Sequence, residues 1–146
     1  MRSEPQLSGL DKEKGLPLSG LKTDRLKKLS VVIPTFNECE NLRILIPRIQ
    51  RVFQENQLNG EIVVVDDNST DGSQELLKEL TRPHANLVVR IREGAPSIAR
   101  AWFAGFELAS QSTIVCIDGA LGPDPGYFPQ LLVKLASNAL VPASPY

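Results

Sequence analysis

Two adjacent carboxylates, Asp66 and Asp67, come directly after four apolar residues in the stretch EIVVVDDNSTDG, residues 61–72. The apolar run predicts a buried strand, and neighbouring like charges repel each other, so we favour a ligand that uses the pair. Carboxylates accept hydrogen bonds from ribose hydroxyls and from nucleobase N–H groups, and the helix that NSTDG starts could direct its N-terminus at phosphate. In the alternative, these side chains, with Asn68 and Asp71, only cap the turn and the helix.

The stretch PTFNE, residues 34–38, allows the same two interpretations, ligand binding or capping of a helix. Phe36 could stack on a base, and Glu38 could accept a hydrogen bond from a sugar or base donor. Alternatively, Asn37 and Glu38 only start the next helix. A further carboxylate, Asp118, closes the apolar run TIVCID.

The segments that must position these residues alternate between two hydrophobic patterns. Short, nearly continuous apolar runs predict strands over residues 30–34, 61–65, 86–90, 113–118 and 139–141. Apolar residues at helical spacing predict helices over residues 40–54, 71–80, 97–109 and 127–135. This alternation predicts an α/β fold with a parallel sheet covered by helices on both faces. Ligands bind such sheets at the carboxyl ends of the strands, where the polar residues above all fall.

Several individual residues allow further predictions about the helices and the core. Pro47 lacks a backbone donor inside its helix, which predicts a kink or a later start. Asp71 is the expected N-cap of the next helix. The third helix is expected to bury one face, formed by Ile98, Ala101, Trp102, Gly105 and Ala109. We also expect Trp102 and Phe106 to lie in the core and Cys116 to be an inert, buried thiol.

At 146 residues, the chain is long enough for one domain with its own core. We expect residues 1–28, with their Gly, Pro, Ser and Lys, to form a flexible tail and residues 29–146 to form the domain. The net charge of −1 gives no indication of a nucleic-acid partner. Two distant cysteines fit a reducing compartment, so we expect a cytoplasmic location. No apolar run approaches the roughly 18 residues that span a bilayer.

Four segments resemble the motifs of family 2 glycosyltransferases in order and spacing. They are SVVIPTFNECENL, EIVVVDDNSTDGS, REG followed by GFELA, and VCIDGALGPDP. Within that family the chain most resembles dolichol-phosphate mannosyltransferases and their bacterial polyprenyl-phosphate relatives, and its ALVPASPY resembles their DLVIGSRY strand. The resemblance covers residues 30–146. It implies a GT-A, Rossmann-like fold whose mostly parallel sheet is truncated after about the fifth strand.

The resemblance also implies which residues bind. The positions that match the family's nucleotide-sugar pocket are Pro34, Phe36, Glu38, Val65, Asp67, Asp118 and Gly119. The family's Asp-x-Asp motif holds Mg²⁺ or Mn²⁺ on the donor diphosphate. Here the motif reads Asp118, Gly119 and Ala120, so a methyl group replaces the second carboxylate. Asp118 is therefore the expected metal ligand and catalytic residue.

By this resemblance the chain is a glycosyltransferase domain that transfers a hexose from a nucleotide sugar to a polyprenyl or dolichyl phosphate. Mannose is the favoured sugar and GDP-mannose the favoured donor. The lipid acceptor implies a peripheral protein at the cytoplasmic face of a membrane. A phosphate acceptor is already ionised near neutral pH, so the transfer needs no strong general base.

Two other functions are alternatives to the glycosyltransferase hypothesis. A non-catalytic or truncated module would bind a nucleotide sugar and transfer little or none, because Ala120 removes a metal ligand and the family's acceptor half would follow Tyr146. A receiver-like signalling domain also carries acidic residues at strand ends. That domain would need its acidic pair after the first strand, whereas Asp66 and Asp67 follow the second, so we set it aside.

Overall fold

The computed structural model describes residues 27–119 and 124–137 of the chain. The described strands are β1 (Lys28–Thr35), β2 (Asn59–Asp66), β3 (Leu87–Ile91) and β4 (Thr113–Cys116). The described helices are α1 (Cys39–Glu55), α2 (Ser73–Thr81), α3 (Ile98–Leu108) and α4 (Phe128–Ser137), with a 3₁₀ turn at Pro125–Tyr127. Of the segment expected as a tail, residues 1–26 lie outside the described residues. The last residue of that segment, Lys28, belongs to β1. Ala120 and the strand expected over residues 139–141 also lie outside them.

The described strands form one sheet in which every neighbouring pair is parallel. Their order is β3-β2-β1-β4, so β1 and β2 lie inside this sheet and β3 and β4 lie at its edges. Val32 of β1 pairs with Val63 on one side and with Cys116 on the other. The predicted parallel sheet of an α/β fold is confirmed.

Helices cover both faces of the sheet, and β1 shows how the sequence sets this arrangement. Val31 and Ile33 point to the face packed by α1, α2 and α4, whereas Val32 points to α3. On the α3 side, Val65 of β2 and Ala101 of the helix complete the contact. Burying one such aliphatic side chain contributes roughly 1.5–3 kcal/mol. Because both faces need apolar residues, the strand is apolar at consecutive positions rather than at alternate ones.

A glycine lets α3 lie close to the sheet. A Cβ atom at Gly105 would lie 2.3 Å from Cγ1 of Val32, which is far inside van der Waals contact. Glycine costs a helix about 1 kcal/mol relative to alanine, so the close approach outweighs that cost here. Gly60 of β2 has the same relation to α1, since its Cβ would lie 2.4 Å from the ring of Phe53.

Pro47 does not delay α1, contrary to one alternative that the sequence suggested. The helix begins at Cys39 and continues through the proline. Pro47 and Arg43, the residue whose carbonyl lacks its helical donor, are both exposed. Water can therefore bond to that carbonyl, and the helix tolerates the missing hydrogen bond.

The outer side of α3 and the strand β4 are more exposed than the sequence suggested. Phe106 is 42% exposed and Ile98 is 60% exposed, so their expected burial was wrong. The helix meets the sheet through its small residues, and Trp102 is half-buried with Phe106 stacked on it at a centroid distance of 5.9 Å. Cys116 is exposed as well, because β4 lies at the edge of the described sheet.

Candidate functional site

The carboxyl ends of the strands bring the predicted site residues to one edge of the sheet. Backbone hydrogen bonds extend the ladder past the strands, from Asp67 N to Thr35 O at 2.9 Å and from Arg92 N to Asp66 O at 2.7 Å. Asp118 follows the end of β4 by two residues. The chain segments that leave the four strands therefore start side by side.

A cleft of about 250 Å³ opens at this edge between the β1–α1 loop and the start of α3. Its lining residues are Pro34, Thr35, Phe36, Glu38, Pro96, Ile98, Ala101 and Asp118. Pro34, Phe36, Glu38 and Asp118 were predicted as site residues, and the structure brings them together. Phe36 is 45% exposed, so its ring is open to a ligand.

Glu38 occupies the N-cap position of α1, yet its side chain makes no capping hydrogen bond to the helix. Its Oε2 atom instead accepts a 2.6 Å hydrogen bond from Nδ2 of Asn41. The backbone N–H of Cys39, in the first turn, donates to Oδ2 of Asp71 at 2.9 Å. Capping therefore does not explain the Glu38 carboxylate, which lines the cleft.

Asp71 contacts the first turns of two helices. Besides Cys39 of α1, it accepts hydrogen bonds from Ser73 of α2, at 3.0 Å from the backbone nitrogen and 2.5 Å from the hydroxyl. The N-cap of α2 is Gly72 with φ 95°, so the predicted N-cap lay one residue too early. Slight burial acts to raise the pKa of Asp71, but the hydrogen bonds from Ser73 and Cys39 outweigh it and hold that pKa below its ordinary value.

Asp66 is a structural residue, so the capping alternative applies to it. The side chain is fully buried and accepts hydrogen bonds from the backbone nitrogen and hydroxyl of Ser69 at 2.9 and 2.5 Å. The same hydroxyl accepts a 2.8 Å bond from the backbone nitrogen of Asn37, and Oδ1 of Asn37 accepts one from Thr70 N. These bonds tie the loop after β1 to the loop after β2.

Asp67 joins three elements at the edge of the sheet. Its side chain is nearly buried, with Oδ1 bonded to the guanidinium of Arg92 and Oδ2 bonded to the backbone nitrogen of Ser97. Ser97 is the N-cap of α3. Both carboxylate oxygens therefore have protein donors, and Asp67 does not line the cleft. Arg92 had no predicted role beyond its place in the REG motif, although a basic residue directly after a strand is a signal for a partner of Asp67 at the same edge of the sheet.

Two further residues that the resemblance implied do not present side chains to the cleft. Val65 is fully buried and its side chain packs beneath α3, so the predicted place of this position in the nucleotide-sugar pocket stays a prediction. Gly119 is buried, and a Cβ atom there would lie 3.4 Å from the carbonyl oxygen of Pro34. A side chain at this position would make only ordinary contacts, and the distances show that the segment after β4 lies against the end of β1, which places Asp118 at the cleft.

A metal ion would have few protein ligands in the described part of the chain. Those residues contain no group of three or more His, Cys, Asp or Glu side chains that could hold a metal. The carboxylates that line the cleft are Glu38 and Asp118. Mg²⁺ is commonly held by one or two carboxylates together with substrate phosphates and water. These residues therefore fit a cation that arrives with a phosphate ligand.

Within residues 27–119 and 124–137, no helix has the length and apolar character that a membrane crossing requires.

The family model described as Glycosyl transferase family 2 matches residues 30–144. This range contains every residue that lines the cleft.

Curated relatives share substantial identity with the chain. It is 34% identical over 121 residues to a dolichol-phosphate mannosyltransferase of Mycosarcoma maydis, and 41% identical over 112 residues to one of Pyrococcus furiosus. These matches cover 80% and 77% of the chain but only 41% and 31% of the relatives. The undecaprenyl-phosphate 4-deoxy-4-formamido-L-arabinose transferase of Yersinia enterocolitica is 33% identical over 112 residues, which is 76% of the chain and 34% of that relative. The chain thus spans less than half the length of these relatives.

Solved structures share the fold. A mannosyltransferase from Pyrobaculum calidifontis, in complex with GDP-Man and Mn²⁺, matches with a TM-score of 0.56 at 24% identity, over 62% of this chain and 27% of that one. The UDP complex of glucosyl-3-phosphoglycerate synthase from Mycobacterium tuberculosis matches with a TM-score of 0.63 at 21% identity, over 86% of this chain and 46% of that one. The fold is therefore the GT-A arrangement, as the family resemblance implied.

Proposed function

The chain belongs to glycosyl transferase family 2, and on that premise we propose that it binds a nucleotide sugar in the cleft and serves the transfer of a hexose to a polyprenyl phosphate. The observation that carries this proposal is the meeting of Pro34, Phe36, Glu38 and Asp118 in one cleft. Asp118 follows β4, whereas Pro34 lies near the end of β1 and Phe36 and Glu38 follow that strand, so only the folded sheet brings the four residues together. All four stand at positions where the family's motifs imply contact with the nucleotide sugar.

The chemistry of the cleft suits a nucleoside. The exposed ring of Phe36 offers a face on which a base can stack, an interaction worth roughly 1–3 kcal/mol per base. The carboxylate of Glu38 accepts hydrogen bonds from sugar hydroxyls or base N–H groups. At about 250 Å³ the cleft is smaller than the ~300–1,000 Å³ of typical ligand pockets. It therefore accommodates part of a nucleotide sugar, with the remainder extending outward.

The diphosphate belongs near Asp118 rather than at the start of α3. The backbone nitrogen of Ser97 at that helix start is already bonded to the Asp67 carboxylate, whose charge Arg92 balances. A bound Mg²⁺ or Mn²⁺ would neutralise charge on the departing diphosphate. Asp118 would hold that cation, with Ala120 in place of the family's second carboxylate.

The acceptor class has broader support than the sugar. Two of the relatives are named dolichol-phosphate mannosyltransferases. The name of the third also contains a polyprenyl phosphate, undecaprenyl phosphate, but a different sugar. A polyprenyl phosphate is therefore the acceptor that we propose, with mannose as the sugar and GDP-mannose as the donor. Such an acceptor would bring the protein to the cytoplasmic face of a membrane as a peripheral protein.

The second candidate is a module that binds a nucleotide sugar without transferring it. Ala120 favours this candidate, because a methyl group cannot replace the second metal carboxylate. It shares the cleft with the first candidate and differs only in turnover.

Calorimetric titration tests the shared part of the proposal. GDP, UDP, GDP-mannose and UDP-N-acetylglucosamine are titrated with and without Mn²⁺ into the wild type, Phe36→Ala and Phe103→Ala. Phe103 is the matched control, since it is 68% exposed on α3 and does not line the cleft. We expect GDP-mannose to bind best and Phe36→Ala alone to weaken binding. No binding of any nucleotide would refute the proposal.

Transfer is measured separately, as movement of radiolabelled mannose from GDP-mannose to a polyprenyl phosphate. Turnover that Asp118→Asn abolishes would favour the transferase. Nucleotide binding without turnover would favour the binding module.

A further inference from the structure

The hydroxyl of Thr35 is the one buried side-chain oxygen or nitrogen without a hydrogen-bond partner among the described residues. Thr35 is only 4% exposed. The other buried polar side chains in the described part, those of Ser30, Asp66, Asp67, Ser69 and Ser73, all take part in hydrogen bonds. A buried hydroxyl without a partner destabilises a protein, and valine would fill the same space on a strand without that cost.

The position of this hydroxyl connects it to the segment that carries Asp118. Thr35 lines the cleft at the end of β1, next to the segment that follows β4. A Cβ atom at Gly119 would lie 3.5 Å from Oγ1 of Thr35. The hydroxyl thus lies beside the residue that directly follows Asp118.

We propose that Thr35 is a positioning residue for Asp118. When a nucleoside diphosphate and its cation engage the Asp118 carboxylate, the Thr35 hydroxyl forms a hydrogen bond with the backbone of the Asp118–Gly119 segment. That bond fixes the carboxylate at the cleft. The inference rests on the proposed function, because it assigns Thr35 a role in binding the diphosphate part of the nucleotide sugar.

The test combines isosteric variants with a double-mutant cycle. GDP affinity in the presence of Mn²⁺ is measured by calorimetry for the wild type, Thr35→Val and Thr35→Ser, and for Asp118→Asn with and without Thr35→Val. Thermal unfolding of each ligand-free protein is recorded in parallel. Thr35→Val removes only the hydroxyl, and Thr35→Ser retains it.

We expect Thr35→Val to lower GDP affinity about three- to tenfold, the effect of losing one hydrogen bond in the bound state. Thr35→Ser should retain GDP affinity within about twofold of the wild type. In the Asp118→Asn protein, Thr35→Val should lower GDP affinity no further. The unfolding midpoint of ligand-free Thr35→Val should not fall, since no hydrogen bond is lost there.

Three results would overturn the inference while leaving the proposed function intact: unchanged GDP affinity in Thr35→Val, additive losses in the double variant, or a lower unfolding midpoint of the free Thr35→Val protein. A wild type that binds neither GDP nor UDP would overturn the inference and the proposed function together.

Discussion

Asp67 and Arg92 form an ion pair that joins the end of β2 to the residue after β3, and their side chains are only 5% and 15% exposed. Asp67 also holds the backbone nitrogen of Ser97 at the start of α3. Nearly buried pairs of this kind contribute little net stability but are costly to break, since one charge is then left without its partner. The pair therefore fixes α3, one wall of the cleft, to the edge of the sheet.

Arg92→Ala should destabilise the protein by about 1–3 kcal/mol. This is less than the roughly 3–5 kcal/mol of fully buried pairs, because water can reach part of the site. Urea unfolding measures the change, and Arg90→Ala, which removes an exposed arginine two residues earlier, is the matched control. Equal stability of Arg92→Ala and the wild type would contradict the structural importance of the pair.

Asp67→Ala should weaken nucleotide binding more than Asp71→Ala does. Loss of the charged hydrogen bonds by which Asp67 orients α3, one wall of the cleft, would cost roughly 1.5–3 kcal/mol of binding. Asp71 contacts only backbone and hydroxyl groups at two helix starts, so its loss should lower stability by about 0.5–2 kcal/mol and leave affinity unchanged. Calorimetry under conditions where both variants are folded decides the matter, and equal affinity losses would show that Asp67 only supports the fold.

Gly105→Ala should lower the free energy of unfolding by about 1–3 kcal/mol, although alanine is the better helix former. The added methyl group would lie 2.3 Å from the Val32 side chain and would force α3 away from the sheet. Glu107→Ala, an exposed substitution on the same helix, should be nearly neutral. Chemical denaturation compares the two, and a stabilised Gly105→Ala protein would mean that α3 can shift without cost.

Glu61 should make stability depend on acidic pH. Partial burial acts to raise its pKa, but hydrogen bonds from Ser30 and Ser110 outweigh burial and hold that pKa below the ordinary value of 4.5. A carboxyl group with a lowered folded-state pKa contributes stability that is present above 4.5 and is lost as pH falls through the folded-state pKa. The stability difference between the wild type and Glu61→Gln should therefore shrink below pH 4.5. Urea unfolding across this range tests the prediction, with exposed Glu79→Gln as the control; a constant difference would exclude this linkage.

Ala120→Asp should strengthen Mn²⁺-dependent nucleotide binding by about tenfold, or about 1.4 kcal/mol, because it supplies a second carboxylate to the cation. Ala120→Asn is the control, since it adds a similar volume and a neutral oxygen. Calorimetry with and without Mn²⁺ measures the effect. An equal gain in the absence of Mn²⁺ would show that the new side chain acts without a metal.

The architecture could be predicted from the sequence because a parallel strand buried on both faces requires an unbroken apolar run. The same pattern predicted that Phe36, Glu38 and Asp118 lie at the carboxyl edge of the sheet, where the structure has them. Such a pattern locates the end of a strand, but not the direction in which each following side chain turns. Asp66 and Asp67 are neighbours, yet one turns into its own loop and the other towards Arg92.

Burial on α3 could not be predicted from helical spacing alone. The spacing identifies which residues share a face, but not how narrow the contact with the sheet is. Here the helix approaches through Ala101 and Gly105, so the bulky Phe106 stays outside. The unpaired hydroxyl of Thr35 is likewise invisible in sequence, since it depends on what the segment after β4 places beside it.

The stacked pair on α3 gives the protein an intrinsic optical reporter. Trp102 is the single tryptophan of the chain, and it stands one residue after Ala101, which lines the cleft. Its indole is half-buried and lies against Phe106, so its emission depends on how firmly α3 rests on the sheet. Events at the cleft that tighten or loosen this helix would change both the intensity and the wavelength of that emission. Ligand binding could then be followed in solution without attaching any label.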